Sequence, residues 1–188
     1  MPASFRTNLD DLIAIFYDVD GAAESTRPPR SDLGIFHDVN GENLPPSIRR
    51  LLDHDHHMTV TQESVHQCPV DVQVVRVSHA DGNYSRCSTL TRQSDGKIVQ
   101  FGIVRLHMDR LEPVVRSEIE AGEIPLGRVL ISHDVMRQVE LHQLYRITAG
   151  PGLAAAMRLP SGTTVYGRTA VIYCDDQPVI ELLEIVPQ

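Results

Sequence analysis

The 188-residue sequence predicts an α+β fold, a single antiparallel β-sheet with helices packed on one face. Three observations predict it. Apolar residues recur with a period near two over several runs, which is the strand signature. Those runs are joined by Asp-Gly turns of the kind that close hairpins. The few helical pieces sit between the hairpins and do not alternate regularly with strands, so a Rossmann-like parallel sheet is disfavoured.

Residues 1–45 are acidic and rich in Asp, Asn, Gly and Pro, with Arg27-Pro28-Pro29-Arg30 and Pro45-Pro46 as punctuation. They read as an N-terminal extension, leaving 46–188 as the domain. Within the extension, Ile15-Phe16-Tyr17-Asp18-Val19-Asp20-Gly21 is nearly repeated by Ile35-Phe36-His37-Asp38-Val39-Asn40-Gly41. Asp-x-Asp-Gly looks like part of a calcium loop, but the remaining ligands and the closing Glu are missing. Two short strand-turn pieces covering the domain's flank are expected instead.

Residues 47–52 suggest a short helix, followed by Asp53-His54-Asp55-His56-His57-Met58-Thr59. His54 and His57 have the spacing of metal ligands on a helix, yet no His-Glu-x-x-His pattern accompanies them. A polar loop beside a pocket is expected there, and no metal. From Val60 onward the period is close to two. Strands are predicted over 72–78, 84–92, 98–106, 139–147 and 166–174, with a closing apolar strand that carries Glu184. Turns fall at Asp81-Gly82-Asn83, Ser94-Asp95-Gly96-Lys97 and Asp175-Asp176-Gln177. Helices are predicted over 113–121, with Pro at the start and Gly122 at the end, and over 153–157 after Pro151-Gly152.

Composition narrows the function classes. A formal charge of -8 and a pI near 5.5 oppose binding to nucleic acid or to an anionic membrane. No apolar run of about 18 residues and no charged-then-apolar leader is present, so a cytoplasmic protein is expected. Cys68, Cys87 and Cys174 form no C-x-x-C pair and read as reduced, structural thiols. Lys97 is the only lysine; the other basic residues are arginines, suited to forked recognition of carboxylates.

Two charged residues sit where strands should be apolar. Arg86 shares a face with Tyr84, Ser88 and Leu90, and needs an anion if that face points inward. On the last strand Ile180, Leu182, Glu184 and Val186 occupy one face, while Val179, Glu181, Leu183 and Ile185 occupy the other. Each face carries one Glu, so parity does not say which carboxylate points inward. Pro125-Leu126-Gly127-Arg128 reads as a turn whose glycine permits close backbone approach to a ligand. No phosphate loop, Gly-x-Ser-x-Gly elbow or dinucleotide fingerprint appears, and no cofactor is expected.

Taken in order, these pieces resemble the chorismate pyruvate-lyase family, the enzymes that make 4-hydroxybenzoate. The matching elements are Met58-Thr59, Arg86 with the Asp95-Gly96 hairpin, Pro125-Leu126-Gly127-Arg128, and Tyr166-Gly167-Arg168 leading to Leu183-Glu184-Ile185-Val186-Pro187. The resemblance spans residues 47–188 and implies a chorismate lyase-like fold, with a ligand enclosed under flap-like loops. It also implies roles. Arg86 would bind the ring carboxylate, Met58 and Leu126 would touch substrate or product, and Glu184 would lie at the 4-hydroxyl end. Arg86 and Glu184 are then the catalytic candidates, chorismate is the small-molecule partner, and a monomer is expected. The competing reading is a non-catalytic domain that binds an aromatic acid, related to the effector domains of transcription regulators. Such regulators carry a basic helix-turn-helix segment, for which residues 1–45 are too short and too acidic.

Overall fold

The structure is a computed structural model that describes residues 7–19, 21, 25–135, 137–174 and 176–188. The expectations that fall on Asp20 and Asp175 lie outside the described residues. Seven strands form one antiparallel sheet in the order β1-β5-β6-β7-β4-β3-β2. They are β1 Gly34–Val39, β2 Val70–Ala80, β3 Asn83–Arg92, β4 Ile98–His107, β5 Arg137–Ala149, β6 Thr164–Cys174 and β7 Gln177–Pro187.

Local turn chemistry accounts for the hairpins. Asp81 and Gly82 both have positive φ, 52° and 74°, the type I′ geometry that matches the twist of β2 and β3. The β6–β7 hairpin pairs Cys174 with Gln177, then shifts register between Tyr173 and Ile172, which faces Ile180. Val179 is the extra residue, so β7 carries a bulge.

Strand alternation divides the sheet into two faces with separate cores. On one face Cys87, Phe101, Ile103, Leu183 and Ile185 pack with Tyr145 and Ile147. Helices α1 (Leu9–Ala14), α2 (Arg30–Leu33) and α7 (Pro151–Met157) supply Leu12, Ile13, Leu33, Leu153 and Met157 to that core. The opposite face holds Val104, Leu106, Ala170, Ile172 and Leu182, covered by α5 (Pro113–Ala121) and α6 (Leu126–Ser132) through Val115, Ile119, Val129 and Leu130. Beside them α3 (Pro46–Leu52) and α4 (Met58–His66) pack Ile48, Leu52 and Met58 against Tyr166 and Val186. Helices expected on one face thus cover this face most heavily, and the N-terminal segment with α7 covers the other.

That last point corrects the reading of residues 1–45 as an extension outside the core. β1 is a strand of the sheet, paired with β5 from Gly34 to Val39. Phe16 and Tyr17 are buried, and Arg76 of β2 lies over the Tyr17 ring at 4.6 Å while donating to the Phe16 carbonyl at 3.0 Å. Of the two repeat copies, 35–39 is strand and 15–19 is not. The segment looked like loop because Asp, Asn, Gly and Pro punctuate it, yet Leu12, Ile13, Phe16, Tyr17, Leu33 and Leu44 are buried.

Helix α5 has the bounds expected from its terminal Pro and Gly, with Gly122 left-handed at φ 67°. Helix α4 replaces the expected start of the strand period at Val60, and α6 replaces the turn at 125–128. No helix among the described residues is long and apolar enough to cross a membrane.

Candidate functional site

Two adjacent rows of side chains cross the sheet on the face under α4–α6. The first row runs Ser88, Gly102, Glu184, Arg168 on neighbouring strands β3, β4, β7 and β6. The second, two residues along, runs Arg86, Val104, Leu182, Ala170. Above them the first turns of α4 and α6 close a cavity lined by Met58, Thr59, Leu126 and Gly127 together with Arg86, Arg168 and Glu184. The four positions singled out by the lyase resemblance, Met58, Arg86, Leu126 and Glu184, therefore line one cavity.

Gly127 explains how the two helices meet. A Cβ there would lie 2.9 Å from Thr59 Oγ1, so only glycine lets α6 approach α4 this closely. The close approach expected of this glycine is thus made to a helix. Gly102 has the opposite environment: a Cβ there would meet Leu183 O at 3.4 Å, an ordinary contact. Its missing side chain leaves floor space between Ser88 and Glu184.

Arg86 is 1% exposed. Its Nη1 donates to the Ile119 carbonyl at 3.0 Å, and its Nε is buried without a partner. Burial pushes its pKa down, opposed by the neighbouring Tyr84 hydroxyl, yet a guanidinium stays protonated at any ordinary pH. A buried cation whose partners are one carbonyl and the Tyr84 hydroxyl, with Nε unmet, is costly, and an anion in the cavity would offset that cost. The inward reading of Arg86 is the one the structure adopts.

Both glutamates of β7 are buried, and each has an arginine. Glu181 pairs across the strands with Arg105 on the face away from the cavity. Glu184, 6% exposed, accepts from Arg168 Nε at 2.7 Å on the cavity face. Sequence reasoning quoted Arg168 within a motif but gave it no role. Its other nitrogens hold the loop between α3 and α4: Nη1 donates to the carbonyls of Leu52 and His54 at 3.2 and 2.8 Å, and Nη2 to that of His56 at 3.1 Å. One buried guanidinium therefore ties the cavity carboxylate to the cavity's wall.

The histidine-rich loop is organised around that contact. His54 Nε2 donates to the Leu51 carbonyl at 2.7 Å, which makes Nδ1 the acceptor for the His56 amide at 3.1 Å and places it 3.3 Å from Arg168 Nη1. Burial and the positive charge of Arg168 both lower the His54 pKa, favouring the neutral ring. His56 and His57 line the cavity. No group of three or more His, Cys, Asp or Glu converges as a metal site among the described residues.

The open space is about 50 Å³. A cavity of roughly 150 Å³ is needed to take a benzene ring, so a ring-sized ligand must part the walls as it enters. The loop at 53–57 forms one of those walls, with Arg168 bonded to its His54 and His56 carbonyls.

The fold is an α+β fold of the chorismate lyase-like kind. No family model matches the sequence, and no curated protein matches it. Several solved structures share the fold, three of them as follows. The ligand-binding domain of a GntR-family transcriptional regulator from Bordetella bronchiseptica is 12% identical at a TM-score of 0.51, the match covering 62% of this chain and 85% of that one. The effector domain of PhnF from Mycobacterium smegmatis is 15% identical at a TM-score of 0.51, with 70% and 88% covered. Against a longer PhnF chain the identity is again 15%, the TM-score 0.50, and this chain spans 63% of its length. At such identities the likeness is one of fold.

Proposed function

We propose that the chain binds a small ring carboxylate in this cavity, with Arg86 taking the carboxylate and Glu184 accepting from a hydroxyl at the far end of the ring. The observation that carries this reading is the buried Arg86 guanidinium with its unpartnered Nε. A bidentate carboxylate is the ligand group that best satisfies it, and charge-assisted bonds of this kind contribute about 1.5–3 kcal/mol. Charge balance agrees: Arg86 and Arg168 against Glu184 leave one positive charge in the cavity, which suits a monoanion. Neighbours described as ligand-binding and effector domains support a binding use of this fold.

The second reading is chorismate pyruvate-lyase activity, favoured by the convergence of Met58, Arg86, Leu126 and Glu184. In that reaction enolpyruvate leaves C3 as a proton is lost from C4, and the ring becomes aromatic. Arg86 would orient the ring carboxylate, while Glu184 would accept the proton or orient the hydroxyl. Chorismate is a dianion, and the single net positive charge of Arg86, Arg168 and Glu184 balances only one of its two carboxylates. Incubation with chorismate separates the readings. Equal amounts of 4-hydroxybenzoate and pyruvate mean the lyase; tight binding of 4-hydroxybenzoate without turnover means the binding domain. Neither result would sink both.

A further inference from the structure

A second cavity of about 200 Å³ lies on the other side of α4, between α3, α4 and the β3–β4 hairpin. Its apolar walls are Ile48, Leu51 and Val99, and Arg50 and Lys97 stand at its rim. Two observations make it more than a surface groove. Gln62, fully buried, lines it, and the Gln62 Oε1 accepts no hydrogen bond. The same amide's Nε2 donates to the Val99 carbonyl at 3.2 Å and reaches Gln100 Oε1 at 3.4 Å, so the orphaned oxygen is not removed by turning the amide over. A buried acceptor left without a donor costs about 1–3 kcal/mol.

The rim is cationic in a chain of net charge -8. Arg49 pairs with Asp53 and Arg92 with Asp95, whereas among the described residues neither Arg50 nor Lys97 enters an ion pair. His66, also on the wall, is held below its ordinary pKa by burial and then by the positive charges of Arg92 and Lys97. Gln100 lines the first cavity, so the Gln62–Gln100 contact is a wall shared by the two.

We propose that this second cavity is a binding site for a small amphipathic carboxylate carrying a hydroxyl or amine. The apolar body rests on Ile48, Leu51 and Val99, the carboxylate meets Lys97 and Arg50, and the hydroxyl or amine donates to Gln62 Oε1. Its ligand chemistry overlaps that of the first cavity, but it stands on different residues and does not depend on Arg86.

Equilibrium dialysis with 4-hydroxybenzoate and with benzoate tests it, using wild type, Lys97→Glu, Val65→Trp and Arg86→Met. Lys97 and Val65 are exposed, so both substitutions leave the folded core alone, and the tryptophan would occupy the cavity. Wild type is expected to bind two equivalents of 4-hydroxybenzoate. Lys97→Glu and Val65→Trp each weaken one of the two at least tenfold, and benzoate, which lacks the donor, binds that site more weakly than 4-hydroxybenzoate. One equivalent, unaffected by Lys97→Glu or Val65→Trp and lost in Arg86→Met, overturns the second site and leaves the first standing. Two equivalents indifferent to both rim substitutions also overturn it. One equivalent that survives Arg86→Met but not Lys97→Glu supports the second site and overturns the first.

Discussion

Arg168 Nε lies 2.7 Å from Glu184 Oε2, and the two residues face each other on β6 and β7 in the interior of the sheet. The same guanidinium carries the carbonyls of Leu52, His54 and His56. Removing it strands a buried carboxylate and unties the loop together, whereas neutralising Glu184 keeps an acceptor in place. Arg168→Met is therefore expected to destabilise by about 3–5 kcal/mol, and Glu184→Gln by about 1–2 kcal/mol. Urea unfolding midpoints measure both, and an Arg168→Met protein as stable as wild type would contradict the pairing.

This contact shows where sequence reasoning stopped. A two-residue turn after Cys174, continued without a bulge, would set Arg168 opposite Leu183 and Glu184 opposite Gly167. The extra residue at Val179 moves the register by one and brings the two charges together. Nothing in Pro178-Val179-Ile180 announces a bulge, so the pairing of Arg168 with Glu184 was hidden, while parity left Glu181 and Glu184 equivalent because each face of the strand carries three apolar residues and one Glu. Helix α4 was hidden for a different reason: its buried positions are Met58, Thr59 and Gln62, while Val60 and Val65 face solvent. A helix that lines a polar cavity inverts the usual pattern. The hairpins and α5 were legible because turn chemistry and capping are local signals. Strand pattern only marked Arg86, Glu181 and Glu184 as charges in apolar strands, and the lyase resemblance is what singled out Arg86 and Glu184.

Gly102 tests whether the cavity floor receives a ligand. A methyl group there meets only ordinary contacts, and alanine restricts the unfolded strand more than glycine does. Gly102→Ala is expected to leave stability unchanged or raise it by about 0.5 kcal/mol, while weakening 4-hydroxybenzoate at least fivefold. Thermal unfolding and titration of the same preparation check this. Unchanged affinity would place the ring elsewhere.

Stability should fall on mild acidification. His54, His66 and His107 all have pKa values lowered from the ordinary 6.5, each chiefly by burial. The unfolded chain then binds more protons than the folded one, so stability is whole above pH ~6.5 and declines as pH falls through the lowered values. For His54 a proton on Nδ1 would also face Arg168, with Asp55 opposing and His56 adding to the repulsion. The urea midpoint is expected to be lower at pH 5.5 than at pH 7.5, with a smaller drop in His54→Gln. An acid-insensitive midpoint would contradict the neutral, hydrogen-bonded ring.

The central claim is that Arg86 is kept buried and under-partnered in order to hold an anion. A residue held for that purpose is expected to weaken the fold and serve the ligand. Arg86→Met removes the charge but preserves much of the packing, so its stability is expected to equal wild type or exceed it by about 1 kcal/mol. Equilibrium dialysis of Arg86→Met beside wild type, over a range of 4-hydroxybenzoate concentrations, is the direct measurement. The account predicts one bound equivalent fewer in the variant, its affinity lowered by at least tenfold. An Arg86→Met protein that is well folded and binds as many equivalents as wild type, with the same affinities, would contradict it.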